Sequence, residues 1–178
     1  MENNDATKNQ FMNKKDELKK ISNSKIIKHT LMSLINVASS KTSDDYAWSS
    51  VKKLLFELKS KYDFLKYIQI DEITCINYTI DDIVVDSKFD VIESNTLGMA
   101  IQDIVDLLKK YLGKKAGYFF IQEFKSVLGA NYYSIIKNMG VDLRLVELQN
   151  ELAGVDTGQF KIKDSGSSNI AFIKKTES

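Results

Sequence analysis

The stretch from Ser94 to Gly140, SNTLGMAIQDIVDLLKKYLGKKAGYFFIQEFKSVLGANYYSIIKNMG, decides the fold. Leu97, Ile101, Ile104, Val105, Leu108 and Leu112 recur at helical spacing and Gly113 follows, so a helix is predicted over about 96–112. Asp103 lies early in it and Lys109 and Lys110 late, which suits the helix dipole. A second helix is predicted over about 116–128, stopped by Gly129 in a left-handed C-cap. A third runs over 131–139, stopped by Gly140. Asp142 then reads as an N-cap, with Val141 and Val146 spaced as a hydrophobic staple and the apolar face continuing to Leu152. Val141, Leu143 and Leu145 also alternate, so a strand over 141–146 is the alternative.

Seven of the eighteen aromatic residues fall between Tyr111 and Tyr133. Phe120 and Phe124, one helical turn apart, read as core. Phe119 lies about 100° further round the same helix, and Tyr132 and Tyr133 belong to the next. Rings that cannot all face one core mark an apolar pocket or a contact surface. The expected ligand- or partner-binding set is therefore Phe119, Tyr132, Tyr133 and Tyr118, with Lys114 and Lys115 beside them. The fragment Gly113–Gly117 has lysines between its glycines and follows a helix, so it lacks the phosphate-loop order and reads as a helix connection. The N–H groups opening the helix after it could still hold an anion weakly.

Upstream, helices are predicted over about 11–21, over 25–39 with Ser24 as cap, and from Asp44 or Asp45 onward with Trp48, Val51, Leu55, Leu58 and Tyr62 as stripe. The period then drops to two. Residues 67–70, 73–80 and 83–85 read as strands, and 89–92 is ambiguous. Downstream, residues 160–163 and 170–173 flank a glycine-serine loop and read as a β-hairpin. The expected class is α+β: a helical N-terminal segment, a small antiparallel sheet at about 67–85, a helical bundle at about 96–152 and a C-terminal hairpin. The expected organisation is a disordered tail over 1–10, one domain over 11–155, and a hairpin over 156–178 packed on the body or on a partner.

A chain of 178 residues buries enough surface, roughly 70%, to fold without staples. A single cysteine, no apolar run near the roughly 18 residues of a membrane span, and a polar N-terminus without a signal-like segment point to a cytoplasmic protein that makes no membrane contact. Proline is absent, which favours long helices stopped by glycine. Arg144 is the only arginine, which argues against bidentate phosphate or base recognition. Net charge is segregated: +5 over 1–66, −8 over 67–108 and +4 over 109–178. Such charges ordinarily occupy solvated faces; the sharper reading is an acidic surface that meets a basic patch on a second copy or a partner.

Catalytic inventory is thin. His29 is alone and off the Ile27/Leu31 stripe; Cys75 reads as a small buried residue with acidic neighbours that would raise its pKa. Asp156-Thr157-Gly158 and Asp164-Ser165-Gly166 read as turn chemistry rather than protease motifs. Asp81, Asp82 and Asp86 offer oxygen ligands but lack the glycine and glutamate of a calcium loop. No catalytic residue, metal ligand or cofactor is expected. The leading functional expectation is a non-catalytic regulatory or protein-interaction module, homodimeric, with an apolar ligand pocket beneath the helix carrying Phe119. The alternatives are a lysine-driven nucleic-acid-binding transcriptional regulator, resting on the basic segments 11–21 and 25–39, and a carboxylate- and Mg²⁺-dependent enzyme.

Overall fold

The computed structural model describes residues 21–70, 79–117, 119–144 and 146. The predicted segment 11–20, the tail before it, most of the predicted strand 73–80 and the C-terminal hairpin lie outside them. The described part is mostly helical with one two-stranded antiparallel sheet.

Helix α1, Asn23–Lys41, is the centre of the fold. The one-sided stripe expected over 25–39 is there, but Ile26, Thr30, Ser33, Ile35 and Val37 are buried as well, so the helix is covered around most of its circumference. Helix α2, Asp44–Leu58, packs along one side of it and helix α4, Phe120–Leu128, along another. Helix α3, Ser94–Leu112, closes the bundle against α1 and α2. Helix α5, Ala130–Asn138, follows α4 after Gly129. Gly129 has φ 79° and ψ 154°, a conformation reserved for glycine but extended rather than left-handed helical, and it turns the chain directly into α5.

Strands β1, Ile68–Ile70, and β2, Ile83–Val85, pair with Ile68 opposite Val85, Gln69 opposite Val84 and Ile70 opposite Ile83. Ile68 and Ile83 point into the core, and Gln69 and Val84 face outward. These are the two strands among the described residues; most of the predicted strand 73–80 lies outside them. Ile80, expected to end a strand, opens a 3-10 turn, Ile80–Asp82, because Thr79 and Asp82 close a capping box around it.

Several caps come from elsewhere in the chain. The Ser22 and Ser24 hydroxyls hydrogen-bond to one another, and Ser22 makes no side-chain cap to α1. The Ser24 N–H donates instead to Asp90 Oδ1 at 2.7 Å, and Asn23 Nδ2 donates to the Ile92 carbonyl at 2.7 Å. Residues 89–92, undecided from the sequence, fall mostly in a 3-10 turn, Ser87–Val91, that buries Phe89 and holds Asp90 at the positive end of α1. Asp90→Ala is expected to lower stability by about 1 kcal/mol, read from denaturant midpoints. Asp90→Asn, which keeps an acceptor oxygen, should lose less than half of that. For α2 the cap is Ser43, whose hydroxyl accepts from the Tyr46 N–H at 3.3 Å, with Asp44 and Asp45 in the first turn rather than at the cap.

The segment after α5 runs back along α3. Val141, Leu143 and Val146 are buried, and Asp142 Oδ1 accepts from the Arg144 N–H at 2.9 Å, which is the expected cap. Residues 143–144 and 146 are helical, not a strand. The polar side of α3 receives them: Gln102 Oε1 accepts from the Asp142 N–H at 2.8 Å, and Lys109 Nζ donates to the Val146 carbonyl at 2.8 Å. Between these two, Asp106 is half-buried. Its Oδ2 accepts from Gln102 Nε2 at 3.3 Å, and its Oδ1 is buried without a partner among the described residues.

Burial raises the Asp106 pKa above the ordinary carboxylate value; the Gln102 hydrogen bond opposes this, the Asp103 charge adds to it and Lys109 opposes. The folded chain therefore holds a proton at pH values where the unfolded chain has released it. Stability falls as pH rises from the ordinary carboxylate value through the raised one, and stays reduced at neutrality. Asp106→Asn is expected to be more stable than the parent at neutral pH and to show no advantage well below the ordinary carboxylate pKa. Thermal unfolding of both proteins across that range measures it, and a pH-independent difference would contradict it.

Candidate interaction face

The described residues singled out by aromatic density lie on three elements: before and within α4, on α5, and on a separate 3-10 turn. Phe120 and Phe124 are fully buried core. Phe119 precedes α4 and is 63% exposed. Tyr132 and Tyr133 sit half-buried on α5. The Tyr132 ring stacks on His29 with centroids 3.9 Å apart, and Lys125 Nζ lies 5.8 Å from the Tyr133 ring centre. His29 Nε2 is 3.2 Å from the Leu128 carbonyl, which can only accept, so this nitrogen carries the proton. The pair thus ties α1 to α4 and α5. Tyr118 lies outside the described residues.

Lys114 and Lys115 are exposed on a separate 3-10 turn, Gly113–Ala116, and do not flank a helix start as expected. Gly117, at φ 70°, breaks the chain before α4 begins at Phe120. Lys115 Nζ lies 5.2 Å above the Tyr46 ring, and Tyr46 donates a long hydrogen bond, 3.4 Å, to the Tyr111 carbonyl. The Tyr111 hydroxyl is buried without a partner at full hydrogen-bond geometry among the described residues; the Glu57 carboxylate first, and burial second, push its pKa up to about 12. This end of the bundle is a set of ring and lysine contacts that hold α2 to α3.

The carboxylates considered as metal ligands have structural partners. Asp82 Oδ2 accepts from the Thr79 N–H, Asp86 Oδ1 from the Lys88 N–H, and Asp81 pairs with Lys28 at 3.5 Å. Among the described residues no three His, Cys, Asp or Glu side chains are placed to hold a metal ion together. No described helix is long and apolar enough to cross a membrane.

The concave surface that stands out lies between α2 and the sheet, where aromatic density gave no hint of it. It is an open groove of about 550 Å³. Lys52, Lys53, Phe56 and Lys59 form its helical wall, and Leu55, Ile68 and Ile70 contribute its apolar parts. Gln69 borders it, and Val84, directly opposite Gln69 in the register, continues the same outward sheet face. Helical spacing explains the wall. The stripe Trp48, Val51, Leu54 and Leu55 is buried against the core, which leaves Lys52, Lys53 and Phe56 on the far side. Phe56 is 73% exposed and Val84 46%. An aromatic residue among lysines on the polar side of an amphipathic helix was the available sequence signal.

No protein family, curated protein or solved structure matches this chain. The groove has to be judged by its own chemistry and against its nearest competitor. That competitor is a second depression of about 540 Å³, walled by Phe64, Tyr67, Val91 and Ile92. Its ionic rim is largely neutralised from within. Lys61 Nζ bonds Asp103 Oδ2 at 2.5 Å, the Tyr62 hydroxyl donates to the same oxygen at 2.9 Å, and Lys66 pairs with Asp63 at 2.5 Å. The hydrogen bond to Asp103 raises the Lys61 pKa, and that to Asp63 raises the Lys66 pKa. Tyr62 titrates late as well, through burial first and its bond to Asp103 second. These charges brace residues 61–67 against α3. In the α2 groove, Lys52, Lys53 and Lys59 line the wall beside the exposed Phe56 ring, with Lys53 Nζ also 5.2 Å from the Tyr111 ring centre.

Proposed function

We propose that this protein is a non-catalytic regulatory or protein-interaction module and that the groove between α2 and the sheet is its contact surface. The observation that carries this reading is Phe56, 73% exposed in the middle of a concave, lysine-rimmed wall. An exposed ring is costly in water and becomes favourable once a partner covers it, and aromatic anchors ringed by polar residues dominate binding energy at protein interfaces. The lysines supply orientation and encounter rate more than affinity. The acidic groups that a catalytic reading would need support it from the other side: Asp82, Asp86, Asp90, Asp103 and Glu123 are engaged in caps and ion pairs that hold the fold.

The lysine rim also suits a polyanion, but α1, the helix on which the nucleic-acid reading partly rested, is the centre of the core and cannot enter a groove of DNA or RNA. A photoreactive phenylalanine analogue at position 56 of the full chain tests the proposal. On irradiation in the native cells, position 56 should form adducts with polypeptide well above a control at exposed Ser134. Adducts no more frequent than the control's, or adducts with nucleic acid alone, would overturn it.

A further inference from the structure

We infer that the partner seated in this groove is an extended acidic segment of another protein, added as a further strand to the open edge of β1; the inference rests on the interaction reading above and names the chemistry of its partner. The groove takes its sheet side from Ile68, Gln69 and Ile70, and among the described residues none from β2 lines it. It therefore runs along the edge of β1 that β2 leaves open. The register fixes what that edge offers. The Asp86 N–H donates to the Tyr67 carbonyl at 3.0 Å, one step before the Ile68–Val85 pair, so residues 67 and 86 are a hydrogen-bonded pair of the antiparallel ladder. Bonded and non-bonded pairs alternate along such a ladder. Gln69 and Val84 are then the next bonded pair, and the backbone groups of Ile68 and Ile70 point away from β2. The Ile68 N–H donates to the Leu65 carbonyl. The Ile68 carbonyl and both backbone groups of Ile70 have no backbone partner among the described residues. A carbonyl and an N–H two residues apart on an open edge are a template for another strand.

The groove wall selects which strand. Lys52, Lys53 and Lys59 stand beside the Phe56 ring, and no carboxylate is among the described residues that line the groove. Lys53 Nζ rests against the Tyr111 ring, an attraction that keeps the ammonium charged. A segment that alternates carboxylates with apolar side chains answers both features: its acids meet the ammonium groups and an apolar side chain covers Phe56. Main-chain bonds then supply affinity and the side-chain contacts supply choice, as in other cases of strand addition. A nucleic-acid backbone matches the charge alone. Phosphate oxygens only accept hydrogen bonds, so the outward Ile68 carbonyl would meet no donor from them.

Fluorescence polarisation with the purified full chain provides the test. The probe is a labelled pool of peptides of about nine residues in which glutamate alternates with valine, leucine or phenylalanine. The pool should bind, more weakly as salt rises, and a pool with lysine in place of glutamate should not. Phe56→Ala and the pair Lys53→Glu with Lys59→Glu should each weaken binding about tenfold or more, with folding checked by circular dichroism. Backbone N-methylation needs no change to the chain. Methyl groups on one alternate set of peptide amides should abolish binding, and on the other set should be tolerated, because successive amides of a strand point to opposite edges. No binding at about 1 mM overturns the inference, as does binding indifferent to the lysine variant or to both methylation patterns. An oligothymidylate of equal charge that binds as tightly as the peptides overturns it in favour of nucleic acid. If no peptide binds while position 56 still forms adducts with polypeptide, the added-strand inference fails and the interaction reading stands; if position 56 forms none either, both fail.

Discussion

Gly98→Ala should unfold the protein far more readily, although alanine for glycine inside a helix ordinarily gains about 1 kcal/mol. Gly98 lies in the first turns of α3, where the segment leaving α5 crosses it. A Cβ at this position would lie 1.9 Å from the Met139 carbonyl oxygen and 2.7 Å from its carbonyl carbon. Both are backbone atoms, so no rotamer change relieves the overlap; either α3 or the segment beginning at Met139 must move. That segment buries Met139, Val141, Leu143 and Val146 and is fastened by Gln102 and Lys109. A net loss of about 3 kcal/mol is expected, at the upper end for overpacking. For a chain of this size that lowers Tm by about 6–12 °C. Amide exchange should accelerate at Val141–Leu143 before it does in α1, because the displaced element is peripheral. An unchanged Tm would show that the two backbones do not meet there.

Phe89→Ala is expected to be at least as damaging. The ring is fully buried and meets Phe64 edge-on, with centroids 5.5 Å apart; Phe64 in turn lies 5.7 Å from Tyr62. Removing a core phenylalanine costs about 3–5 kcal/mol through lost transfer energy and the cavity left behind. The effect should also be directional. Phe89 anchors the turn that presents Asp90 to the Ser24 N–H, and Ile92 just beyond it accepts from Asn23. Amides in the first turn of α1 should therefore exchange faster in Phe89→Ala than in a Phe124→Ala protein of equal global stability. Phe89→Leu, which refills most of the volume, should recover more than half of the loss. Equal exchange at α1 in both alanine variants would separate the ring from the cap.

The helices were legible because each carries a clean stripe. Leu97, Ile101, Ile104, Val105, Leu108 and Leu112 are all buried, as are Trp48, Val51 and Leu55. What the stripes could not convey is rank. A stripe on residues 25–39 predicts one covered face, but α1 is covered around most of its surface, because small polar residues such as Thr30 and Ser33 also admit close neighbours. The sheet was legible in kind, since the predicted strands at 67–70 and 83–85 pair antiparallel, but Ile80 was misread. β-branched runs mark extended backbone, but a capping box at Thr79 and Asp82 competes locally for the same residues. Aromatic density pointed at residues 118–133, where the described rings divide among core, helix-helix contacts and one exposed Phe119. The groove escaped notice because its parts come from α2 and a strand pair, and only Phe56 among the lysines marked it in advance.

Among the described residues, sequence alone determined the long helices, most of their boundaries and the presence of a small antiparallel sheet beside them, since these follow from periodicity, glycine stops and turn chemistry within a few residues of each other. Tertiary structure decided which helix is central, that Asp90 caps a helix 66 residues upstream in sequence, that Gly98 is a backbone crossing point, and that lysines of α2 and the strand Ile68–Ile70 wall one groove. Each of these joins groups distant along the chain, and the free energy that joins them is set by packing in three dimensions, which local sequence pattern does not encode.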